Sequence, residues 1–395
     1  MKTNSGNNLS KIESKALNNF YLSAKNIRDN ILLFKQIFPL TKVCAIVKAN
    51  AYGHGIKNVV NSIKDLVDYF GVADFFEAQK VRNLSAKPVL ILAPVMDEQM
   101  EWCIKNCVSL SVSSIEYLKK VEKTAKHLHL SALVHLAVNS GMNRLGFSKK
   151  EKFEKAVEYL QGSNHLTLQG VYTHFHNSTD IVSTEIQYQK FCNIIACVKY
   201  KNIIIHASAS NACLLDKKYA FDMVRLGLFM YGYCEMPVKS LKPVMKITAT
   251  ILNIVPVKKG EYVGYGKNYM ASQNMRVACV SIGYADGYLR ANSNKSRVIV
   301  NNQYANIVGN ICMDLFLIDV TNISAKVGDE VIVLGEAIGK KITATEIAQN
   351  TNTIEYEVLT NFKVERMKEH LIFDWIAVKN NTWFLILTQK FRDMI

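Results

Sequence analysis

No stretch of the chain approaches roughly 18 consecutive apolar residues, so nothing in it reads as a membrane-spanning helix. The first fifteen residues, MKTNSGNNLSKIESK, lack the apolar core of a secretory signal. Six prolines and 19 glycines in 395 residues are too few for a low-complexity or collagen-like protein. The nine cysteines form no C-x-x-C pair, are odd in number and mostly sit within apolar runs, which argues against a disulfide framework. Reduced thiols and the missing signal together give the expectation of a cytoplasmic protein. Arginine is scarce as well, at nine of the 48 basic residues. Where lysine is the default cation, a retained arginine marks a place that needs its planar fork of donors, which draws attention to Arg144 and Arg225.

What is present is ample apolar material, 49% of the chain, enough for two domains. The net charge of +15 could suggest a nucleic-acid partner. The lysines are scattered, however, with nothing denser than pairs such as Lys119-Lys120 and Lys149-Lys150 and no basic stripe interleaved with aromatics. The charge reads as solvated surface, and neither nucleic acid nor membrane is expected as a partner.

From about residue 40, short apolar runs alternate with longer amphipathic stretches. Strands are predicted at Val43–Val47, Phe70–Ala73, Pro88–Ala93, Val108–Val112, Leu133–Val138, Leu166–Thr173, Ile203–His206 and Val224–Met230. Between them lie helical spacings such as Ile56, Val59, Val60, Ile63 and Ile115, Leu118, Val121. Eight continuous apolar strands separated by helices predict an α/β fold, a (β/α)8 barrel, over residues 11–240. After Pro237 the strands follow one another through Lys-Gly, Asn-Asn and Val-Gly-Asp turns, which predicts a mainly antiparallel β domain over 241–370. Helical patterns at Ala344–Gln349 and Tyr356–Thr360 fall inside it, and an irregular aromatic tail occupies 371–395.

Function in a barrel gathers at the C-terminal ends of the strands. Lys48 follows the first strand, Arg144 lies after the fifth, His174 closes the sixth, Ser210 follows the seventh, and Arg225 and Gly227 lie on the eighth. A lysine at a strand end is ordinarily just solvated, but a desolvated amine in a barrel mouth can form a Schiff base with a carbonyl. Tyr52 could present a hydroxyl to the same mouth. His174 and His176 share one strand face and would make a metal-ligand pair, but further ligands are not evident and no metal is expected.

The string KANAYGHG from Lys48 resembles the pyridoxal-phosphate (PLP) attachment signature of alanine racemases. The resemblance continues through NSGMNRLGF around Arg144, THF at His174, HASASNA at Ser210, RLGLFMYG from Arg225, VGYG at Tyr265, GYADG from Tyr284 and ICMD from Cys312. It implies that Lys48 carries PLP and serves as the base on one face of the substrate Cα. Tyr265 would be the base on the opposite face, supplied by the partner subunit of a homodimer. Arg225 would contact the pyridine nitrogen, oriented by His174, and Tyr52 would belong to the cofactor site. Ser210 and the backbone N–H groups of Gly227 and Leu228 would hold the phosphate, and Arg144 with the backbone of Met313 the substrate carboxylate. The reaction implied is interconversion of L- and D-alanine, feeding peptidoglycan synthesis.

The chain also departs from the family pattern. Ala137 stands where a modified lysine often braces the arginine, which leaves Asn139 or an anion to hold Arg144, and Asn310 replaces a common arginine. The segment NFKVERMKEH from Asn361 lacks the family's phosphate-contacting tyrosine. Two alternatives keep the same barrel: a racemase with a broader amino-acid substrate, and a non-catalytic PLP carrier, which the β domain and Tyr265 argue against. A metal hydrolase built on His174 and His176 is the third.

Overall fold

A first strand, β1 (Asn19–Ser23), precedes eight parallel strands: β2 (Lys42–Ile46), β3 (Tyr69–Val72), β4 (Val89–Ile91), β5 (Val108–Val112), β6 (Ala132–Ala137), β7 (Leu166–Tyr172), β8 (Ile204–His206) and β9 (Met223–Leu226). The structure is a computed structural model that describes residues 16–373. The parallel strands hydrogen-bond in the order β8-β7-β6-β5-β4-β3-β2-β9. The two ends of that path meet through the Asp222 N–H to Ile205 O and the Arg225 N–H to Ser208 O, each 3.0 Å. The Asp222 carboxylate adds a bond from the Ile205 N–H at 2.7 Å. The expected eight-stranded barrel is therefore present, with an irregular seam.

The reason these runs become strands lies in their coverage on both sides. Every residue of β3 and β5 is buried, and so is all of β2 after its first residue. The helices turn one apolar stripe inward, as Ile56, Val59, Val60 and Ile63 do on Ile56–Ile63. Their starts are fixed by side chains: Ser114 accepts the Tyr117 N–H at 3.2 Å, and Asp74 accepts the Glu77 N–H at 3.0 Å.

The remaining strands are β10 (Met245–Val257), β11 (Met275–Val280), β12 (Arg297–Val300), β13 (Gln303–Asn306), β14 (Phe316–Asp319), β15 (Glu330–Ala337), β16 (Lys340–Ile342) and β17 (Lys368–Ile372). All pairings among β10 to β16 are antiparallel, as expected for the second domain.

Contacts divide the chain into two compact units with less regular boundaries than 240/241. Tyr21–Lys246 groups with Ala344–Phe362, whereas residues 16–20 group with Ile247–Thr343 and Lys363–His370. The helices Ala344–Thr351 and Glu355–Asn361 thus belong with the barrel rather than the β unit. The last of them lies close enough that a Cβ on Gly53 would meet Leu359 O at 2.3 Å. The start of the chain is tied to the β unit by the Thr250 hydroxyl to Leu17 O and the Asn18 amide to Ser281 O, both 2.8 Å. Of the 371–395 tail, all beyond Phe373 lies outside the described residues.

Two further expectations need correction. The eighth barrel strand stops at Leu226 instead of running to Met230, because Gly227 (φ −111°, ψ −107°) leaves the extended region and Leu228–Tyr231 forms a 3-10 turn. Lys48 does not simply close β2 either. Ala49, Asn50, Ala51 and Tyr52 all take left-handed helical angles, with φ between 51° and 56°. Such a run costs an L-residue chain about 1–2 kcal/mol per residue, so it persists only because the surroundings impose it.

Candidate functional site

Several local contacts impose that turn. Ala51 N–H reaches Val47 O at 2.9 Å, Gly53 N–H reaches Ala49 O at 3.0 Å, and Gly55 N–H reaches Asn50 O at 2.9 Å. His54, fully buried, faces the carbonyls of Ala51 and Tyr52 with Nδ1 and stacks on Tyr231 at 4.4 Å. The Tyr231 hydroxyl donates to Ile46 O at 3.0 Å, holding the end of β2.

Lys48 is exposed just beyond the end of β2, yet enough protein surrounds it to strip part of its hydration. Burial lowers its pKa and the Arg144 and Arg225 charges lower it further, with Glu77 acting in the opposite sense. Loss of hydration and like charge are the two influences that make a lysine amine nucleophilic near neutral pH.

Arg225, 4% exposed, is held without any carboxylate. Nη2 donates to Thr173 O and Ala207 O at 2.8 Å and lies 3.0 Å from His174 Nδ1. Nη1 donates to His206 Nδ1 at 2.9 Å. The guanidinium also lies over the Tyr172 ring, 5.4 Å from its centroid. Its Nε–H makes no hydrogen bond among the described residues. Burial pulls its pKa down to about 10, against the opposing influence of Tyr172, so it is cationic at neutral pH.

A guanidinium has only donors, which fixes the imidazoles around it. His206 Nδ1 must be the lone-pair nitrogen, so its proton sits on Nε2. That N–H points at His135 Nδ1, 3.0 Å away, which sets His135 in the same tautomer. The His135 Nε2–H then lies buried with no partner among the described residues. Burial and Arg225 depress the pKa of both His135 and His174 to about 3, and that of His206 well below its ordinary value. All three are therefore neutral. A Cβ on Gly170 would come within 2.5 Å of His135 Nδ1, and the β6–β7 register shifts at Val134/His135. Sequence reading found His174 but missed His206 and His135. Their signal is a lone histidine in an otherwise apolar barrel strand.

The anion-binding candidates lie alongside. A Cβ at Gly227 would fall 2.8 Å from the Tyr52 hydroxyl, so only glycine lets this backbone and Tyr52 approach. The Tyr52 hydroxyl, the Ser210 hydroxyl and the N–H groups of Gly227 and Leu228 make no hydrogen bond among the described residues. Ser210 begins the helix Ser210–Leu215. Tyr356 stands against Tyr52 with ring centroids 5.7 Å apart. Four unmet hydroxyl or amide groups beside a permanent cation with one free N–H form a donor set that suits a phosphorylated, nitrogen-containing ring, and PLP fits it.

Arg144 is exposed and has no ion pair among the described residues. Asn139 does not brace it. Its side-chain oxygen accepts the N–H groups of Gly141 and Asn143 at 3.1 and 2.9 Å, and its amide reaches Asn143 at 3.2 Å. It shapes the loop instead of gripping the guanidinium.

In the β unit, Tyr265 sits on a 3-10 turn between Gly264 and Gly266, both in the left-handed region at φ 71° and 76°. Asn310, in the place of the expected arginine, donates to Tyr265 O at 2.8 Å. The Tyr265 side chain is 72% exposed. Met313, 55% exposed, accepts the Ala285 N–H at 2.9 Å and leaves its own N–H without a partner among the described residues. The segment that lacks the family tyrosine is anchored differently: Arg366 pairs with Asp286 at 2.9 Å and Asp314 at 3.1 Å, and Lys363 N–H reaches Asp286 O at 2.9 Å. No group of three or more metal-ligating side chains occurs among the described residues, nor does a helix long and apolar enough to cross a membrane.

Known proteins resemble the chain along most of its length. Residues 22–235 match the family described as alanine racemase, N-terminal domain, and 244–370 match alanine racemase, C-terminal domain. The alanine racemase of Francisella tularensis subsp. holarctica (strain FTNF002-00 / FTA) is 31% identical over 355 residues, 87% of this chain and 97% of the relative. The crystal structure of alanine racemase from E. faecalis superposes with a TM-score of 0.84 at 29% identity, covering 90% of this chain and 98% of the other. That of alanine racemase from Bartonella henselae with covalently bound pyridoxal phosphate gives 0.83 at 25% identity, covering 91% and 100%.

Proposed function

The chain belongs to the alanine racemase family, and from that premise we propose the role of each residue in its site. The protein is a PLP-dependent isomerase that interconverts L- and D-alanine. When bound, PLP supplies the electron-accepting ring that lets the substrate Cα–H ionise. Lys48 holds the cofactor and then exchanges a proton with one face of Cα. Tyr265 exchanges a proton with the opposite face. Two bases on opposite faces are the minimum for inverting a centre, one removing the proton and the other returning it.

The single observation that carries the cofactor assignment is Arg225, an obligate cation tied by carbonyls and neutral imidazoles with its Nε–H left over. A donor that cannot give up its proton pairs with an unprotonated pyridine nitrogen. This restrains charge delocalisation into the ring and favours simple proton exchange over transamination. His174 orients the guanidinium. Tyr52, Ser210 and the N–H groups of Gly227 and Leu228 take the phosphate. Arg144 and the N–H of Met313 take the substrate carboxylate.

The Tyr265 side chain is 72% exposed, and this supports a homodimer in which each Tyr265 serves the other subunit's Lys48. We place the enzyme in the cytoplasm, its D-alanine going to peptidoglycan. The test is racemisation of L- and D-alanine followed by circular dichroism with added PLP, beside Lys48→Ala and Tyr265→Phe. Racemisation of both enantiomers, abolished by the first variant and severely slowed by the second, is the expected result. A preparation that never binds PLP would overturn the reading.

A further inference from the structure

The hydrogen-bond ladder between β2 and β3 ends where Val47 N–H meets Gly71 O at 2.9 Å. One residue later the left-handed turn carries the backbone away from its neighbour, and two N–H groups, those of Ala49 and Ala73, lose their ladder partners. One carboxylate takes both. Glu77 Oε1 accepts the Ala49 N–H at 2.5 Å and Oε2 the Ala73 N–H at 2.8 Å. Glu77 lies in the first turn of the helix Phe75–Arg82, and Asp74 caps its own N–H. The residue is thus fixed at both backbone and side chain.

We propose that Glu77 is a positioning residue for Lys48: its carboxylate ties the first peptide of the left-handed turn to the neighbouring strand end and so fixes where the amine stands. This rests on the assignment of Lys48 as the PLP-bearing lysine. A carboxylate accepting two backbone N–H groups is a strong, bidentate clamp, placed at the start of the left-handed turn where β-sheet bonding has run out. Asn50 anchors the far end of the same turn through the Ile56 N–H at 3.0 Å. The lysine therefore sits between a fixed start and a fixed end.

Charge adds a second effect. The charged or titratable groups facing the Lys48 amine are Arg144 from the loop after β6, Arg225 from β9, His174 beyond β7 and Glu77 from its helix. Glu77 is the one acid among them and raises the pKa of the amine against the others.

The experiment uses the full chain freed of cofactor and remixed with PLP. The rate at which Lys48 captures PLP is followed across pH by absorbance. Borohydride reduction and peptide mass confirm the attachment point. Glu77→Asp keeps the charge but is too short to span both N–H groups, so the limiting capture rate falls about 10-fold to 100-fold, the scale of a misplaced reacting group, with the pH midpoint little moved. Glu77→Gln keeps the length but loses the charge and one of the two acceptors, since its amide nitrogen can only donate, so the midpoint moves to lower pH and the limiting rate falls as well. A solely structural residue would produce neither split. Should Glu77→Ala fail to fold, these two variants still decide the matter. Wild-type limiting rates and midpoints in both Glu77→Asp and Glu77→Gln overturn the proposal. If Lys48→Ala captures PLP like the wild type, with the label on another residue, the assignment of Lys48 fails instead.

Discussion

The barrel mouth and the Tyr265 turn are built on opposite plans. Around Arg225 the guanidinium is tied by three carbonyls and two imidazoles, down to the tautomer of a histidine two steps away. Around Tyr265 the backbone is fixed by Asn310, but the side chain stands 72% exposed. One region spends its structure on holding groups still; the other presents a group outward from a rigid base. The difference teaches that preorganisation here belongs to the half proposed to hold the cofactor. Tyr265, the proposed second base, has a firm backbone and an exposed side chain.

Four substitutions probe that contrast. Lys48→Ala removes both tether and base, so racemisation falls by at least about 10⁴-fold, and reduction with borohydride no longer links PLP to the chain. Tyr265→Phe, in the outward region, lowers the turnover number by about 10²- to 10⁴-fold while PLP capture by Lys48 stays at the wild-type rate. A parallel loss of capture would show that the two regions are not separable in this way.

The third concerns the neutral imidazoles. Their pKa values are lowered in the folded barrel, to about 3 for His135 and His174, so the unfolded chain takes up those protons first as the solution is acidified. The stabilisation is complete above the ordinary imidazole pKa and drains away as pH falls below it toward about 3. Urea unfolding at about pH 7.5 and about pH 5 should show a steep loss in the wild type and a shallower one in His135→Gln.

The smallest effect is expected of Ala49→Gly. Relief of the left-handed penalty, about 1–2 kcal/mol, outweighs the added backbone freedom of glycine, about 0.5–1 kcal/mol. The variant should therefore gain roughly 0.5 kcal/mol or slightly more in denaturant unfolding. A loss would mean that the turn is not strained.

The barrel was legible because both faces of its strands are covered, which writes continuous apolar runs such as VSLSV and ALVHLA into the sequence. The strand β1 was not, since NFYLS is a five-residue segment set apart from the other strands of its sheet. Nor was the return of the 344–361 helices to the barrel, because local patterning specifies an amphipathic face but not the surface that covers it. Within the site, Lys48, Tyr52, His174 and Arg225 were legible through their motifs. Glu77 and His206 were not: an acid in a first helical turn and a histidine ending an apolar strand each have an ordinary explanation. The left-handed turn left no local trace, for alanine and tyrosine at four consecutive positions with asparagine among them do not announce positive φ.

That turn also has a temporal side. A left-handed stretch of alanine, asparagine and tyrosine cannot form as an isolated peptide. It exists only once β2, β3 and the 344–361 segment have come together around it. Since that segment lies far down the chain from Lys48, the amine acquires its placement only after all the residues between them have been made. Before then Lys48 is an ordinary flexible lysine, without the neighbours that lower its pKa. The placement of the Lys48 amine then becomes a report that these distant segments have met.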